Sequence, residues 1–414
     1  MTSKDFTIKN IERILLNVPF HPRCAHVKEV RVPGWSIVAL CKVETAAGVV
    51  GIGETIPDYT WGASGEGKFA QLIGKNLFDY LWDDSLGAGL QMALFDAAGK
   101  SLGVPCHRLL GTQYRSTCPL SWWAQDMKPE EWAAEARAAQ EQGFGAMKVK
   151  ARPWFDIDKQ LEAVSAAVSP YFKLDADFNE LLVGEDMAAP LIGRLEEKYA
   201  NLAIVESPIP QGDVAGNAVL RGKIRSPIAM HFGSPPAMSA IREGVCDGFV
   251  IGGGARQVIH EGILAEKASM PFWLQLVGTG LTTTFALHLG AVLEQARWPY
   301  VACINIYSHT LLKEFVVEGG HAKVPQDPGL GVELDWDAIE NFRVETDFQK
   351  PVRRQIHTIL WPDGRRTHYP DGNYRADFLA GKLPIFLPGI SLERRLDDGS
   401  EEFAGEYREL FPAS

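Results

Sequence analysis

A chain of 414 residues with 46% apolar and 22% charged residues has room for two or three globular domains. Its formal net charge of −11 argues against a nucleic-acid-binding surface. It has no run of about 18 apolar residues, and the start MTSKDFTIKN lacks the apolar core of a signal peptide. No membrane association is therefore expected, and a cytoplasmic protein is.

The first predicted elements form an antiparallel sheet. SIVALCKVETAAGVVGIGE (36–54) gives two β-rich runs around the turn TAAG. A helical region follows from about Gly65 to Gly103. Within it, LQMALFDAAGKSLGVPCHRLLG (90–111) places apolar residues at helical spacing and ends on a glycine.

From about Cys118, short apolar runs alternate with amphipathic segments, the rhythm of parallel βα units. The predicted strands are LSWWA, AMKVKA, FKLDADF, LAIVESP, PIAMHF, GFVIGG, PFWLQL and VACINI. Eight such units predict an α/β fold, a closed (β/α)8-type (TIM) barrel. An open doubly wound sheet is the alternative. HTILWPDGRRTHY (357–369) reads as a hairpin around Pro362-Asp363-Gly364. The expected organisation is an α+β capping domain over 1–115, a barrel over 116–340 and a C-terminal extension over 341–414. The extension is expected to pack on the cap or on a neighbouring subunit of a homo-oligomer.

Six cysteines, Cys24, Cys41, Cys106, Cys118, Cys246 and Cys303, contain no CxxC pair and are expected as buried free thiols.

In such barrels the site lies at the C-terminal ends of the strands. The second strand ends with Lys148 and Lys150, which share a face because side chains alternate along a strand. Two neighbouring ammonium groups repel and need an anionic companion. The third strand ends with Asp175 and Asp177, the fourth with Glu206 and the fifth with His231. The seventh ends near Gln275 and the eighth near Asn305. Asp175, Glu206 and His231 are spaced by about one βα unit each, so they are expected to converge. Carboxylate oxygens on rigid strands suit Mg2+ or Mn2+. A lone acid at a strand end also serves to cap a helix, Asp177 also fits a loop hydrogen bond, and His231 also fits a structural histidine.

Taken together, these residues resemble the enolase superfamily, in its mandelate racemase/muconate lactonizing group. The resemblance spans roughly residues 5 to 345. It rests on VETAAGVVGIGE, LFDAAGKSLGVPCHRLLG, MKVK, LDADFN, IVESPI and PGLGVELD, in that order. It implies a substrate carboxylate on a divalent ion and a lysine that removes the proton on the adjacent carbon. By position Lys150 is the base, while Lys148 lowers its pKa and contacts the substrate carboxylate. Asp175 and Glu206 are the implied metal ligands. His231 stands where the group carries an acid, and an imidazole there admits Mn2+ or another divalent ion beside Mg2+.

The group's racemases use a His on strand seven paired with an Asp on strand six. Here those strands end in Gln275 and IGGGAR, with Asp247 too early to pair. One visible base favours dehydration of a hydroxy acid such as an acid sugar, with Asp177 or His309 as a candidate acid. A racemase or epimerase, or a decayed barrel that binds a carboxylate ligand, is the alternative. The resemblance further implies that VPFHPRC (18–24) and GETIPDYTWG (53–62) are lids. His21, Tyr59 and Trp61 are then expected substrate contacts, alongside Asp177, Gln275 and Asn305.

Overall fold

The computed structural model describes residues 3–59, 61–62, 66–384 and 386–412. Thr60, inside the second expected lid, lies outside them. The N-terminal unit is built on β1 (Ile8–Asn17), β2 (Ile37–Thr45) and β3 (Val50–Thr55), antiparallel in the order β1-β2-β3. Helix α1 (Pro22–Arg31) begins where His21 accepts a hydrogen bond from the Arg23 N–H, with Pro22 in the first turn, where a missing N–H costs nothing. Two further helices follow, α2 (Glu66–Leu72) and α3 (Ala88–Leu102). The second of these ends on Gly103 in the left-handed region, φ 69°.

Helix α3 is buried on nearly every face, because β3 offers it a surface of glycine. A Cβ on Gly51 would lie 2.1 Å from the Ala93 carbonyl oxygen, and one on Gly53 would lie 2.2 Å from that of Gly89. Only glycine permits strand and helix backbones to approach so closely.

The barrel strands are β4 (Thr117–Ala124), β5 (Ala146–Lys150), β6 (Lys173–Asp177) and β7 (Leu202–Glu206), then β8 (Ile228–His231), β9 (Gly248–Ile251), β10 (Phe272–Leu274) and β11 (Tyr300–Val301). They run β10-β9-β8-β7-β6-β5-β4-β11, all parallel. Each overlaps one of the eight runs read from the sequence, β11 only at Val301. A hydrogen bond from Gly278 N–H to the Ala302 carbonyl, 3.1 Å, helps bridge β10 to β11 in this nearly closed barrel. Two short strands return afterwards. β12 (His321–Lys323) pairs with β4, and β13 (Arg343–Val344) rejoins the first sheet beside β1.

Two carboxylates bolt the N-terminal unit to the barrel. Glu54, at the end of β3, accepts hydrogen bonds from Thr279 Oγ1 and from the Thr282 N–H, 2.8 Å, at the start of the helix Gly280–Ala291. Asp84 accepts from the N–H groups of Arg256 and Gln257, 3.0 and 2.9 Å, at the start of the helix Ala255–Lys267. Both satisfy helix donors that have no partner within the helix.

The extension folds into β14 (Gln355–Leu360), β15 (Arg366–Tyr369) and β16 (Ser391–Leu396), in the order β15-β14-β16. The expected hairpin joins the first two. A separate apolar core joins Ile359, Tyr374, Phe378, Ile390 and Leu392 of the extension to Trp154, Phe155 and Leu181 of the barrel loops. All six cysteines are buried and unpaired. Among the described residues no helix is long and apolar enough to cross a membrane.

Candidate active site

Strand register assembles the site. Lys148 pairs across the ladder with Asp175, and Lys150 with Asp177. On the other side Asp177 pairs with Glu206. Side chains of like parity share a face, so two ammonium groups and three carboxylates meet inside the barrel mouth. All but Lys150 are almost completely buried; Lys150 keeps 17% of its side chain exposed.

Lys148 Nζ forms an ion pair with Glu206 Oε2, lies 3.5 Å from Asp177 Oδ2, and donates to Gln275 Oε1 at 3.0 Å. Burial opposes its charge, but Glu206 and Asp177 outweigh burial and hold the amine above the usual lysine range. Lys150 Nζ donates to Asp177 Oδ2 at 2.5 Å and to Asn179 Oδ1 at 3.3 Å. Here burial wins, assisted by repulsion from Lys148 and Arg152, and the Lys150 amine falls below its ordinary value despite Asp177. The two lysines are thus driven apart: one is held charged, the other eased toward the free amine.

Asp177 would be raised by burial, yet Lys150, Lys148 and Arg152 hold it well below the usual carboxylate range. Asp175 has no cation so close. Burial pushes its carboxyl up to about 7 despite Lys148.

Two residues that the sequence reading passed over complete the cluster. Arg152 donates to the Ala151 and Asp177 carbonyls, at 2.8 and 2.9 Å, and to Asn179 Oδ1. Asn179 in turn donates its backbone N–H to Asp177 Oδ1, 2.8 Å. Their signal was present: Lys148, Lys150 and Arg152, like Asp175, Asp177 and Asn179, continue one alternation past the strand end.

His231 stands apart. Ala229, not His231, pairs with Glu206 across β7 and β8, so the imidazole sits one pleat further toward solvent. Its Nε2 lies 3.3 Å from Glu206 Oε1 and its side chain is 42% exposed. Among the described residues no group of three His, Cys, Asp or Glu side chains is disposed to hold a metal ion. The three expected ligands therefore do not form a cage here. Asp175 and Glu206 nevertheless fit a hard cation. Among the described residues Asp175 Oδ2 is buried without a hydrogen-bond partner, and the Glu206 carboxylate meets only the Lys148 ammonium and the His231 ring; carboxylate oxygens are the donors that Mg2+ or Mn2+ takes.

The other expected contacts divide. Gln275 links the barrel to the cap, bonding Lys148 on one side and placing its Nε2 3.5 Å from the Tyr59 hydroxyl on the other. Tyr59 packs edge-on against Trp35, which stacks on Trp123. Asn305 instead latches β4: its side chain accepts from the Trp123 N–H and donates to the Trp123 carbonyl, 3.0 and 2.9 Å. Trp61 packs on Phe285 and donates to the Asp84 carbonyl at 3.4 Å. His21 caps α1, with the Arg23 guanidinium against its ring, and lines a cavity of about 670 Å3 beside Trp122, Phe144 and His309. The lysines do not line that cavity. His309 is occupied with the Leu311 N–H and lies 3.4 Å from Asp335. Asp247 pairs with Arg221 and the Ile228 N–H.

Known proteins share this arrangement of strands. A family model described as "Enolase C-terminal domain-like" matches residues 131–338. The chain is 25% identical over 374 residues to a D-xylonate dehydratase of Haloferax volcanii, covering 74% of this chain and 85% of that protein. It is 26% identical over 349 residues to an N-succinyl-L-Arg/Lys racemase of Bacillus cereus, covering 76% and 91%. The crystal structure of a mandelate racemase/muconate lactonizing family protein from Azoarcus sp. EbN1 superposes with a TM-score of 0.66 at 26% identity. It covers 82% of this chain and 98% of that one.

Proposed function

Because the chain belongs to the enolase superfamily, through its enolase C-terminal domain-like family, we propose that it is an enzyme that removes the proton on the carbon next to a carboxylate. Elimination of water from a hydroxy acid such as an acid sugar is the reaction favoured. The observation that carries this reading is the pair of lysines on one face of β5, pushed to opposite protonation tendencies by their surroundings.

Lys150 takes the proton. Its amine is the more exposed of the two, and a lowered pKa raises the fraction of free base at neutral pH. Asp177 and Asn179 fix its direction, and Asp177 stabilises the ammonium that forms. Lys148, held charged, offers its N–H groups to a substrate carboxylate. Asp175 and Glu206 would hold a divalent cation, Mg2+ or Mn2+, which supplies Lewis-acid stabilisation of negative charge on the substrate oxygens. Tyr59 of the cap reaches Gln275 of the barrel across the mouth, where it would limit access of water.

Opposite Lys150, the segments that end β9 and β10 are Gly252-Gly253-Gly254 and Gln275-Leu276-Val277, none of which titrates. A single base supports elimination over racemisation, which needs a proton donor on each face. Acid sugars and N-acylated amino acids should be incubated with the protein and Mg2+ or Mn2+ in D2O. Formation of a keto acid with loss of water is the outcome expected. Deuterium entering both stereoisomers of an N-acylated amino acid, with no water lost, would replace this reading with a racemase. A racemase of that substrate class is among the relatives.

A further inference from the structure

We propose that the C-terminal extension is a working part of the site, a clamp that sets the environment of Lys150, with Arg394 and Phe386 as its positioning residues. The inference rests on the reading of Lys150 as the base.

The chain leaves β5 at Lys150 and enters the segment 151–156. The extension grips this segment along its length. Trp154 packs edge-on against Tyr374, ring centres 4.6 Å apart, and the Arg394 guanidinium lies over the Phe155 ring at 5.7 Å. Asp156 donates its N–H to the Ile390 carbonyl at 3.1 Å and accepts from the Gly389 N–H at 2.8 Å. The residue between Lys150 and this grip is Arg152, which touches the Asp177 carbonyl and Asn179, the same groups that hold Lys150.

A second contact reaches the cluster from the other strand. Phe386 packs edge-on against Phe178, centres 5.6 Å apart. Phe178 lies between Asp177 and Asn179, the two residues that accept hydrogen bonds from Lys150. The extension therefore backs both the strand end that carries the amine and the loop that receives it.

The anchor of the clamp is Asp126. Arg394 donates to its carbonyl at 2.8 Å and to its carboxylate, which also accepts from Trp154 Nε1 at 2.8 Å. Arg31 of α1 lies 3.5 Å from the same carboxylate and 3.4 Å from the Tyr374 hydroxyl. One buried carboxylate thus joins cap, barrel and extension. Burial would raise it, but Arg394, Arg31 and Arg152 hold it well below the usual range, so it stays charged.

The charged groups that face Lys150 are Asp177, Lys148, Glu206 and Arg152. None belongs to the extension, which acts by holding these groups in place and keeping water out. Loosening it hydrates the amine and lets its pKa climb back toward the ordinary lysine value.

The test needs no substrate. Arg394→Met, Phe386→Ala and the conservative Arg394→Lys are labelled briefly with acetic anhydride at pH 8 in the full-length protein. Modification of Lys150 is read by mass spectrometry against the exposed Lys9 and Lys313, which serve as internal references. We expect about a tenfold slower labelling of Lys150 in Arg394→Met and Phe386→Ala, as its pKa rises. The references should be unchanged, and Arg394→Lys should stay near wild type. Unchanged Lys150 labelling in a folded Arg394→Met overturns the proposal. If that variant does not fold, Phe386→Ala decides. Failure of the Lys150 assignment itself would show separately, as turnover that survives Lys150→Ala.

Discussion

Lys148 and Lys150 have the same side chain on the same strand face, and the protein makes them chemically different. The difference comes from reach. Lys148 lies between Glu206, Asp177 and Gln275, whereas Lys150 meets one carboxylate and faces two cations. Replacing Asp177 with Asn would leave Lys150 and Arg152 buried without their anion. A loss of roughly 3–5 kcal/mol in urea unfolding is expected, and stability equal to wild type would contradict the shared role of this carboxylate. At this scale much of the site was legible in the sequence. Alternation placed Lys148 and Lys150, then Asp175 and Asp177, on common faces, as found. Arg152 and Asn179 continue the same alternation beyond the strand ends, where strand periodicity no longer guarantees a shared face. Asp126 and Arg394 pair across 268 residues, and no local pattern encodes such a distance.

Elements show why particular segments accept no substitute. Strand β3 and helix α3 meet through Gly51 and Gly53, and a methyl group on either would collide with helix backbone. Gly53→Ala should cost about 1–3 kcal/mol or more by thermal melting, whereas Gly48→Ala, with open space around it, should cost only the strain of its turn. Equal losses at the two sites would contradict this packing. In the extension, burial pushes His357 of β14 down to about 3, with Arg394 and Arg31 adding to the effect. A histidine whose folded pKa lies below its unfolded value contributes stability above about pH 6.5, and that stability is lost as pH falls toward 3. The extension is therefore expected to loosen on acidification, by on the order of 3 kcal/mol at pH 4. His357→Gln should flatten the dependence of the urea midpoint on pH between 6.5 and 4; an unaltered slope would count against it. The strands were readable because each is a short apolar run between turn residues. The stagger between β7 and β8 was not, and His231, expected to converge with Asp175 and Glu206, lies a pleat beyond Glu206.

Across the whole molecule, the cap, barrel and extension converge on one mouth. Glu54 and Asp84 fix the cap to two barrel helices, Tyr59 and Gln275 bridge the opening, and Asp126 ties in the extension. A net charge of −11 favours cation uptake, and the buried Asp175 Oδ2 has no hydrogen-bond partner among the described residues. Titration with Mn2+, followed by electron paramagnetic resonance, should show one bound ion per chain and a raised melting temperature. Asp175→Asn and Glu206→Gln should each weaken binding at least about tenfold, by loss of a first ligand. Binding that ignores both substitutions would place the ion elsewhere.

The proposed reaction turns on the amine of Lys150 removing a proton from carbon. The direct measurement is proton NMR in D2O, following the hydrogen next to the carboxylate in the best substrate of the acid-sugar screen, with wild type and Lys150→Ala side by side. Wild type should lose that signal, and Lys150→Ala should lose it at least about a hundredfold more slowly while keeping its fold. Loss at the same rate in both would contradict the assignment.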